Sequence, residues 1–430
     1  MRNTRLILAL AAIGFTTSAL ATNGMNLEGY GPIATGMGGA SFAYDNGTAA
    51  VMNNPATLGL GADGNRLDLA IGMLGPDVHV VGGQKSSGTS YIMPAVGWTR
   101  KKGNTTYGLA MFAQGGMGTD YGMGLDGLPE RSELGVGRLI APLAYNVSPD
   151  LTIGGSLDFV WAMLDLRMAM PLSSMMQLIT VPPTGQLGAA LQGLAESNPN
   201  VRIDFSDNSD FTGQAKGYGF AGKLGFTYKA SPKVMIGGTY HSKTSLSDLK
   251  TGSTGASFIA AGNVAQGIPG KITVKDFQWP AIYGLGISVQ ASDKVMVAAD
   301  IKSIGWKDVM KNFTMNFAAM GDSVTFALPQ NWKDQTVLQL GVSYKATDSL
   351  TLRAGGNFAN NPIPDATMNY LFPAIVKDHY TFGLGYAFSK QDDLNASLQY
   401  APKVTQTNST FGFTVTHSQT SGQVMYSHRF

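Results

Sequence analysis

The segment LTLRAGGNF, Leu350 to Phe358, sorts its side chains into two sets. Leu350, Leu352, Ala354 and Phe358 fall on one phase of a two-residue period, and Thr351, Arg353 and Asn357 fall on the other. Successive side chains of a strand point to opposite faces, so this reads as a strand with one apolar and one polar face. The same division sets Leu394, Ala396, Leu398 and Tyr400 against Asn395, Ser397 and Gln399. It also sets Val295, Val297, Ala299 and Ile301 against Lys294, Asp300 and Lys302. Phe220, Phe226, Tyr228, Tyr344, Phe382, Tyr386 and Phe388 keep to the apolar phase, several near strand ends, as a membrane-interface girdle requires.

Between such strands lie short turns at Lys101–Asn104, Ser148–Asp150, Ser231–Lys233, Ser292–Lys294, Thr347–Ser349 and Gln391–Asp393, built from Asn, Asp, Ser, Pro and Gly. The intervals between them hold two strands and a longer loop, which implies about seven hairpins, or about fourteen strands. Short turns on one side and long loops on the other are the asymmetry of an outer-membrane barrel. A bilayer offers no water to free backbone groups, so a spanning sheet must close on itself. The expected fold is therefore all-β, a transmembrane antiparallel barrel of about fourteen strands. The terminal QVMYSHRF, Gln423 to Phe430, alternates and ends on an aromatic. It resembles the strand signal read by the barrel assembly machinery, which joins outer-membrane lipid and lipopolysaccharide as an expected partner.

Composition agrees. Met1 to Arg5 is basic, Leu6 to Phe15 is apolar, and Ala19-Leu20-Ala21 has the form of a signal-peptidase site, so residues 1–21 read as a signal peptide cleaved near Ala21. Its apolar stretch is shorter than the ~20 residues of a membrane helix. Charged residues are only 13% of the chain, about half the usual ~25%. The net charge of +2 gives no footprint for nucleic acid, and with no cysteine there is no disulfide or thiol chemistry.

Catalytic signatures are missing. The five histidines have no metal-ligand spacing, and Gly217–Gly222 matches a dinucleotide fingerprint only formally, since Lys223 to Tyr228 continues as a strand where a helix is needed. Neither an enzyme nor a metal site is expected. Arg66, Asp68, Arg138, Asp158, Lys223, Asp300, Lys302 and Arg353 fall on the inward phase. On the lipid face each Lys or Arg near mid-membrane would cost roughly 2–4 kcal/mol. Lys302, Arg167, Arg138 and Arg353 are the candidates for holding an anionic head group.

Two long loops are expected, about 167–214 and 245–278. The first carries Met168, Met170, Leu172, Met175, Met176, Leu178 and Ile179, with short helices near Ser173–Ile179 and Gln186–Glu196. So many apolar residues either fold over the rim and bury themselves or form a capture surface for hydrophobic ligands.

The leader Gly36-Met-Gly-Gly-Ala40, followed by Ala50-Val-Met-Asn-Asn-Pro-Ala-Thr-Leu58, resembles the N-terminal pattern of the FadL family of outer-membrane transporters. Leu328–Trp332 leading into Val337–Tyr344, and Pro362–Asp365 leading into Tyr380–Tyr386, are similar to its later barrel motifs. The resemblance implies a fourteen-stranded barrel (65–430) plugged by an N-terminal hatch (22–64), in the outer membrane, working passively and without a cofactor. It implies uptake of long-chain fatty acids or similar hydrophobic molecules, captured on apolar loops, passed to a lumenal pocket and released through a gap made by a kinked third strand. The alternatives are uptake of aromatic or aliphatic hydrocarbons, or a non-conducting surface adhesin. By the resemblance Asn54, Pro55 and Ala56 form the hatch triplet, its asparagine against the kink, and Gly115-Gly116 permit the break.

Overall fold

The computed structural model describes residues 23–430 except 125, 198, 210 and 261–266. The expected signal peptide, 1–21, lies outside the described residues, as does 261–266 of the second long loop. A single sheet holds twenty-two strands. In chain order they are β1 (Gly64–Val80), β2 (Tyr91–Lys102), β3 (Thr105–Tyr121), β4 (Glu130–Asn146), β5 (Leu151–Pro171), β6 (Ile179–Val181), β7 (Asn200–Phe205), β8 (Ala215–Ser231), β9 (Val234–His241), β10 (Ser245–Leu246) and β11 (Leu249–Lys250). There follow β12 (Ala256–Ala260), β13 (Ile268–Lys275), β14 (Ile282–Gln290), β15 (Val295–Ile304), β16 (Asn312–Ala319), β17 (Asp322–Pro329), β18 (Gln335–Lys345), β19 (Leu350–Ala359), β20 (His379–Ala387), β21 (Asp392–Thr407) and β22 (Thr414–Arg429). Short helices are α1 (Pro32–Thr35), α2 (Leu172–Leu178), α3 (Gly185–Ser197) and α4 (Trp306–Val309).

The wall is antiparallel throughout. β1 to β5 pair in sequence; β5 pairs with β8, β8 with β9, β9 with β14, β14 with β15 and β15 with β18; β18 to β22 again pair in sequence. β22 then pairs with β1 from Arg66↔Arg429 to Val80↔Val415, and the ring closes. Leu157, Leu224, Leu285, Phe382 and Leu398 are exposed on the outer face, while Arg138, Asp158, Lys223, Asp300 and Lys302 are buried on the inner one. Tyr107, Tyr145, Tyr228, Tyr344 and Tyr386 stand at the short-turn ends of their strands, exposed to the outside.

The strand total exceeds the expected figure of about fourteen. The surplus lies in segments expected to be loop. β7 pairs with β12, β13 with β16 and β6 with β17, so long loops bind one another at a distance no local pattern announces. The first long loop also begins later than expected, because β5 runs on to Pro171 and pairs with β7.

Residues 23–60 are almost wholly buried. Apart from α1 they run in irregular backbone against the inner side chains of the wall, with 3-10 segments at Gly47–Val51 and Pro55–Leu60. Such backbone is tolerated at membrane depth only if protein or water satisfies it. Here side chains of the wall do much of this. Asp68 accepts from Thr48 N, Asp300 from Ser41 N and Phe42 N, and Ser288 and Lys302 donate to Ala43 O and Glu28 O. Thr381 accepts from Gly38 N, and His241 meets Asn53 O. Close approach explains part of the glycine content. A Cβ on Gly225 would stand 1.9 Å from Asn54 Oδ1, and one on Gly355 would stand 2.2 Å from Gly38 N.

Candidate functional site

β4 and β5 turn Leu134, Leu164, Leu166 and Met168 inward, where Phe277, Phe313, Leu328 and Phe372 pack over them. Met25, Met310 and Trp332 complete a narrow cavity of 20 Å³, with Gln330 and Asn369 its polar members. Among the described residues no charged side chain lines it. Such a volume holds about one water, so a larger guest must part the side chains. Met25, Met168 and Met310 suit that, because an unbranched thioether repacks at little cost. Trp279, Trp306 and Trp332 stand edge to face in a row, with ring centroids 5.6 and 5.2 Å apart.

β3 breaks beside the cavity. Its register with β4 shifts between Ala113 and Gly115, and Gly115 and Gly116 take φ of 153° and 155°. The freed backbone bonds inward: Gly116 N donates to Met25 O at 2.9 Å and Tyr30 OH donates to Gln114 O at 2.5 Å. Gln114 Nε2 donates to Asn26 Oδ1 at 2.9 Å. On the other edge the β2–β3 ladder ends at Val96↔Met111, although β2 continues against β1 as far as Tyr91. Residues 91–95 and 112–121 therefore face each other without ladder pairing among the described residues. Above them Ser87 N donates to Asp120 O at 2.8 Å, tying the β1–β2 loop across the top. Met93, Phe112 and Met117, all buried, lie along this gap beside the polar Gln114 and Thr119. Met25 touches both the cavity and the break.

A closed barrel with a broken third strand has counterparts among known proteins. The family described as outer membrane protein transport protein (OMPP1/FadL/TodX) matches residues 8–424. The chain belongs to this family. Its structure is similar to the P. putida toluene transporter TodX, with 33% identity, 94% of this chain and 99% of that one covered, and a TM-score of 0.83. It is likewise similar to the Ralstonia pickettii toluene transporter TbuX, with 31% identity, coverage of 94% and 99%, and a TM-score of 0.78. A Chlorobium limicola protein, described as uncharacterized and encoded in the 5' region of the phosphoenolpyruvate carboxykinase gene, is 51% identical over 73 residues. That match covers 17% of this chain and 36% of the relative, so the chain spans about a third of its length. This FadL/TodX-family barrel is thus an outer-membrane protein of a family of transport channels.

The four candidate cations of the FadL/TodX-family barrel lie apart from its cavity, each already engaged. Lys302 Nζ donates to Glu28 O at 2.7 Å. Arg138 is 2.8 Å from Asp158, whose carboxylate also takes Lys223. Arg167 lies on β5, 3.2 Å from Asp204, and Arg353 donates to Asn395 Oδ1 at 3.0 Å. Of the apolar loop set, Met168 lines the cavity and Met175 is buried. Met170, Leu172, Leu178 and Ile179 are half-buried against the core, and Met176 alone of the set is well exposed. Most of that stretch folds over the rim.

Asn54 is not at the break. Its Nδ2 donates to Phe42 O at 2.8 Å and to Phe226 O on β8 at 3.0 Å, and its Oδ1 accepts from Ala56 N. The reason is local. Pro55 opens a 3-10 turn, and the residue before it is extended and caps that turn, which aims Asn54 at β8. The contacts to the break come from Met25, Asn26 and Tyr30, with Asn53 behind them accepting from Tyr30 N at 3.1 Å. Nothing in the spacing of Met25, Asn26 and Tyr30 signals the role, because each meets its partner on β3 more than eighty residues along the chain.

Proposed function

We propose that this barrel passes small neutral hydrophobic compounds, monocyclic aromatic hydrocarbons foremost, across the outer membrane by diffusion. The observation that carries the reading is the uncharged cavity beside the broken third strand. A guest enters past the extracellular loops, parts the methionines, and leaves sideways into the bilayer through the gap between β2 and β3. A carboxylate held in that cavity would be a buried charge without a partner, which costs several kcal/mol. A fatty acid would therefore have to keep its head group outside it. The toluene transport named for two similar structures supports the same ligand class.

In this reading residues 22–64 are a hatch inside a wall of fourteen strands, supported by the ring of pairings and by the burial of 23–60. Asn54, Pro55 and Ala56 anchor the hatch, and Gly115 and Gly116 hold the gate open. The test is a Gly115→Val, Gly116→Val variant, since a Cβ on Gly115 would meet Met25 O at 2.1 Å and β-branched residues favour regular strand. Toluene uptake by intact cells is expected to fall at least about tenfold, a barrier change of about 1.4 kcal/mol, with the barrel still assembled in the outer membrane. Unchanged uptake would sink the sideways route.

A further inference from the structure

The three lumenal indoles differ in one respect. Trp279 Nε1 donates to Asn26 Oδ1 and Trp306 Nε1 to Gln335 Oε1, each at 3.3 Å. Trp332 Nε1 is buried with no acceptor among the described residues. Of the three, Trp332 is the one that lines the cavity. A buried donor left unpaired costs free energy that a guest supplying an acceptor would recover. The protein has an acceptor-bearing residue beside each of the other two indoles, and among the described residues none that bonds the one lining the cavity.

The rest of the lining restricts what that acceptor is. Gln330 and Asn369 are its only polar amides among the described residues, each already bonded within the protein: Gln330 Nε2 donates to Leu328 O, and Asn369 Oδ1 accepts from Leu371 N. Met25, Leu164, Met168, Phe313 and Phe372 accept no ordinary hydrogen bond, and no charged side chain among the described residues lines the cavity to neutralise an anion. We propose that Trp332 is a specificity residue of the cavity, donating its indole N–H to a neutral acceptor on an aromatic guest: a single uncharged oxygen, or more weakly the ring face. This rests on the reading of the cavity as the ligand site. It sharpens the ligand class within neutral aromatics, with preference for those carrying one neutral oxygen over plain hydrocarbons and over saturated rings of equal size.

The experiment compares acetophenone, toluene and methylcyclohexane binding to the full barrel in lipid nanodiscs. Depletion of ligand from the headspace is measured, and empty nanodiscs are subtracted for partition into lipid. Trp332→Phe keeps an aromatic side chain and removes the donor. Acetophenone affinity is expected to fall about tenfold, the worth of one net hydrogen bond near 1.4 kcal/mol, toluene less, and methylcyclohexane not at all. Trp306→Phe, whose N–H is already spent within the protein, is the control, and it is expected to leave the ratio among the three ligands unchanged. Equal losses for all three ligands in Trp332→Phe would mean a packing role and overturn the proposal, as would no loss for any. Binding of methylcyclohexane as tight as acetophenone to the unaltered barrel overturns the proposal while leaving the channel reading in place. Failure of all three to bind the unaltered barrel removes the ligand site itself and the proposal with it.

Discussion

Glu28 shows how a single residue couples the lumen to pH. Burial lifts its carboxyl from an ordinary 4.5 to about 7, against the pull of its own backbone N–H and of Lys302. His379 Nε2 stands 3.2 Å from the carboxylate, and Lys302 and Gln339 both donate to the Glu28 carbonyl. Between these two values the folded protein keeps a proton that the unfolded chain has released. Stability from this group is therefore full below about pH 4.5 and is lost as pH rises through about 7. Hydrogen exchange of residues 23–60, corrected for the intrinsic rate, is expected to be faster at pH 8 than at pH 5.5, and Glu28→Gln should flatten the difference. Faster exchange at the lower pH would show that another group controls the docking. Asn54 carries a different expectation. Replacing it with Ala removes a cap and two bonds to Phe42 O and Phe226 O, and a lost cap alone is worth about 1 kcal/mol. Protease sensitivity of the 45–62 stretch should rise; intact resistance together with intact uptake would remove Asn54 from the anchor. Neither residue's setting was legible beforehand. The N-P-A triplet marks a turn by its own chemistry, but the choice of β8 over β3 is made by Phe226, 172 residues away.

At the level of elements, what was readable was local. The six short turns fall between consecutive wall strands because Asn, Asp, Ser and Pro fix them without help from elsewhere. The phase of Arg138, Asp158, Lys223, Asp300 and Lys302 was readable for the same reason, since a two-residue period is a property of the strand itself. The small strands β6, β7 and β10 to β13 were not, because pairing with distant segments fixes them: β7 with β5 and β12, β6 with β17, β10 and β11 with β8, and β13 with β16. β16 and β17 form a local hairpin whose place is likewise set by β13 and β6. One ion pair shows how those loops are held. Arg202 on β7 grips Asp126, with Nε to Oδ2 at 2.7 Å and Nη2 to Oδ1 at 2.8 Å, both side chains nearly inaccessible. Burial would raise the Asp126 carboxyl, and the Arg202 bonds overcome it and hold the carboxyl low. Asp126→Ala leaves the buried Arg202 guanidinium without its carboxylate, with the bond from Nη1 to Pro129 O at 2.9 Å remaining, a loss of up to about 3–5 kcal/mol. Protease cleavage between 122 and 129 should appear in that variant on intact cells while the barrel stays in the membrane. Resistance equal to the unaltered protein would show that β7 is held mainly by its ladder to β5 and β12.

For the whole molecule the question is which way out a guest takes, beneath the N-terminal segment or sideways through the wall. The segment bonds to β1, β3, β8, β9, β14, β15, β18, β20 and β21, which leaves no side of the ring unattached. Each such bond is worth about 0.5–1.5 kcal/mol net, so moving the segment aside for every molecule would break many of them at once. The gap between β2 and β3 asks for less, since among the described residues 91–95 and 112–121 share no ladder pairing, and Met93, Phe112 and Met117 lie along it. The two routes separate when the segment is tied down. Thr35 Oγ1 and Ser397 Oγ lie 2.6 Å apart, so a Thr35→Cys, Ser397→Cys pair brings its sulfurs within reach of a disulfide joining α1 to β21. The chain has no other cysteine to compete. With the bridge oxidised, toluene uptake is expected to stay within about twofold of its reduced value, a barrier change under about 0.5 kcal/mol. A collapse of uptake that dithiothreitol reverses would mean that the segment must move, and the path would then run through the lumen to the short-turn end.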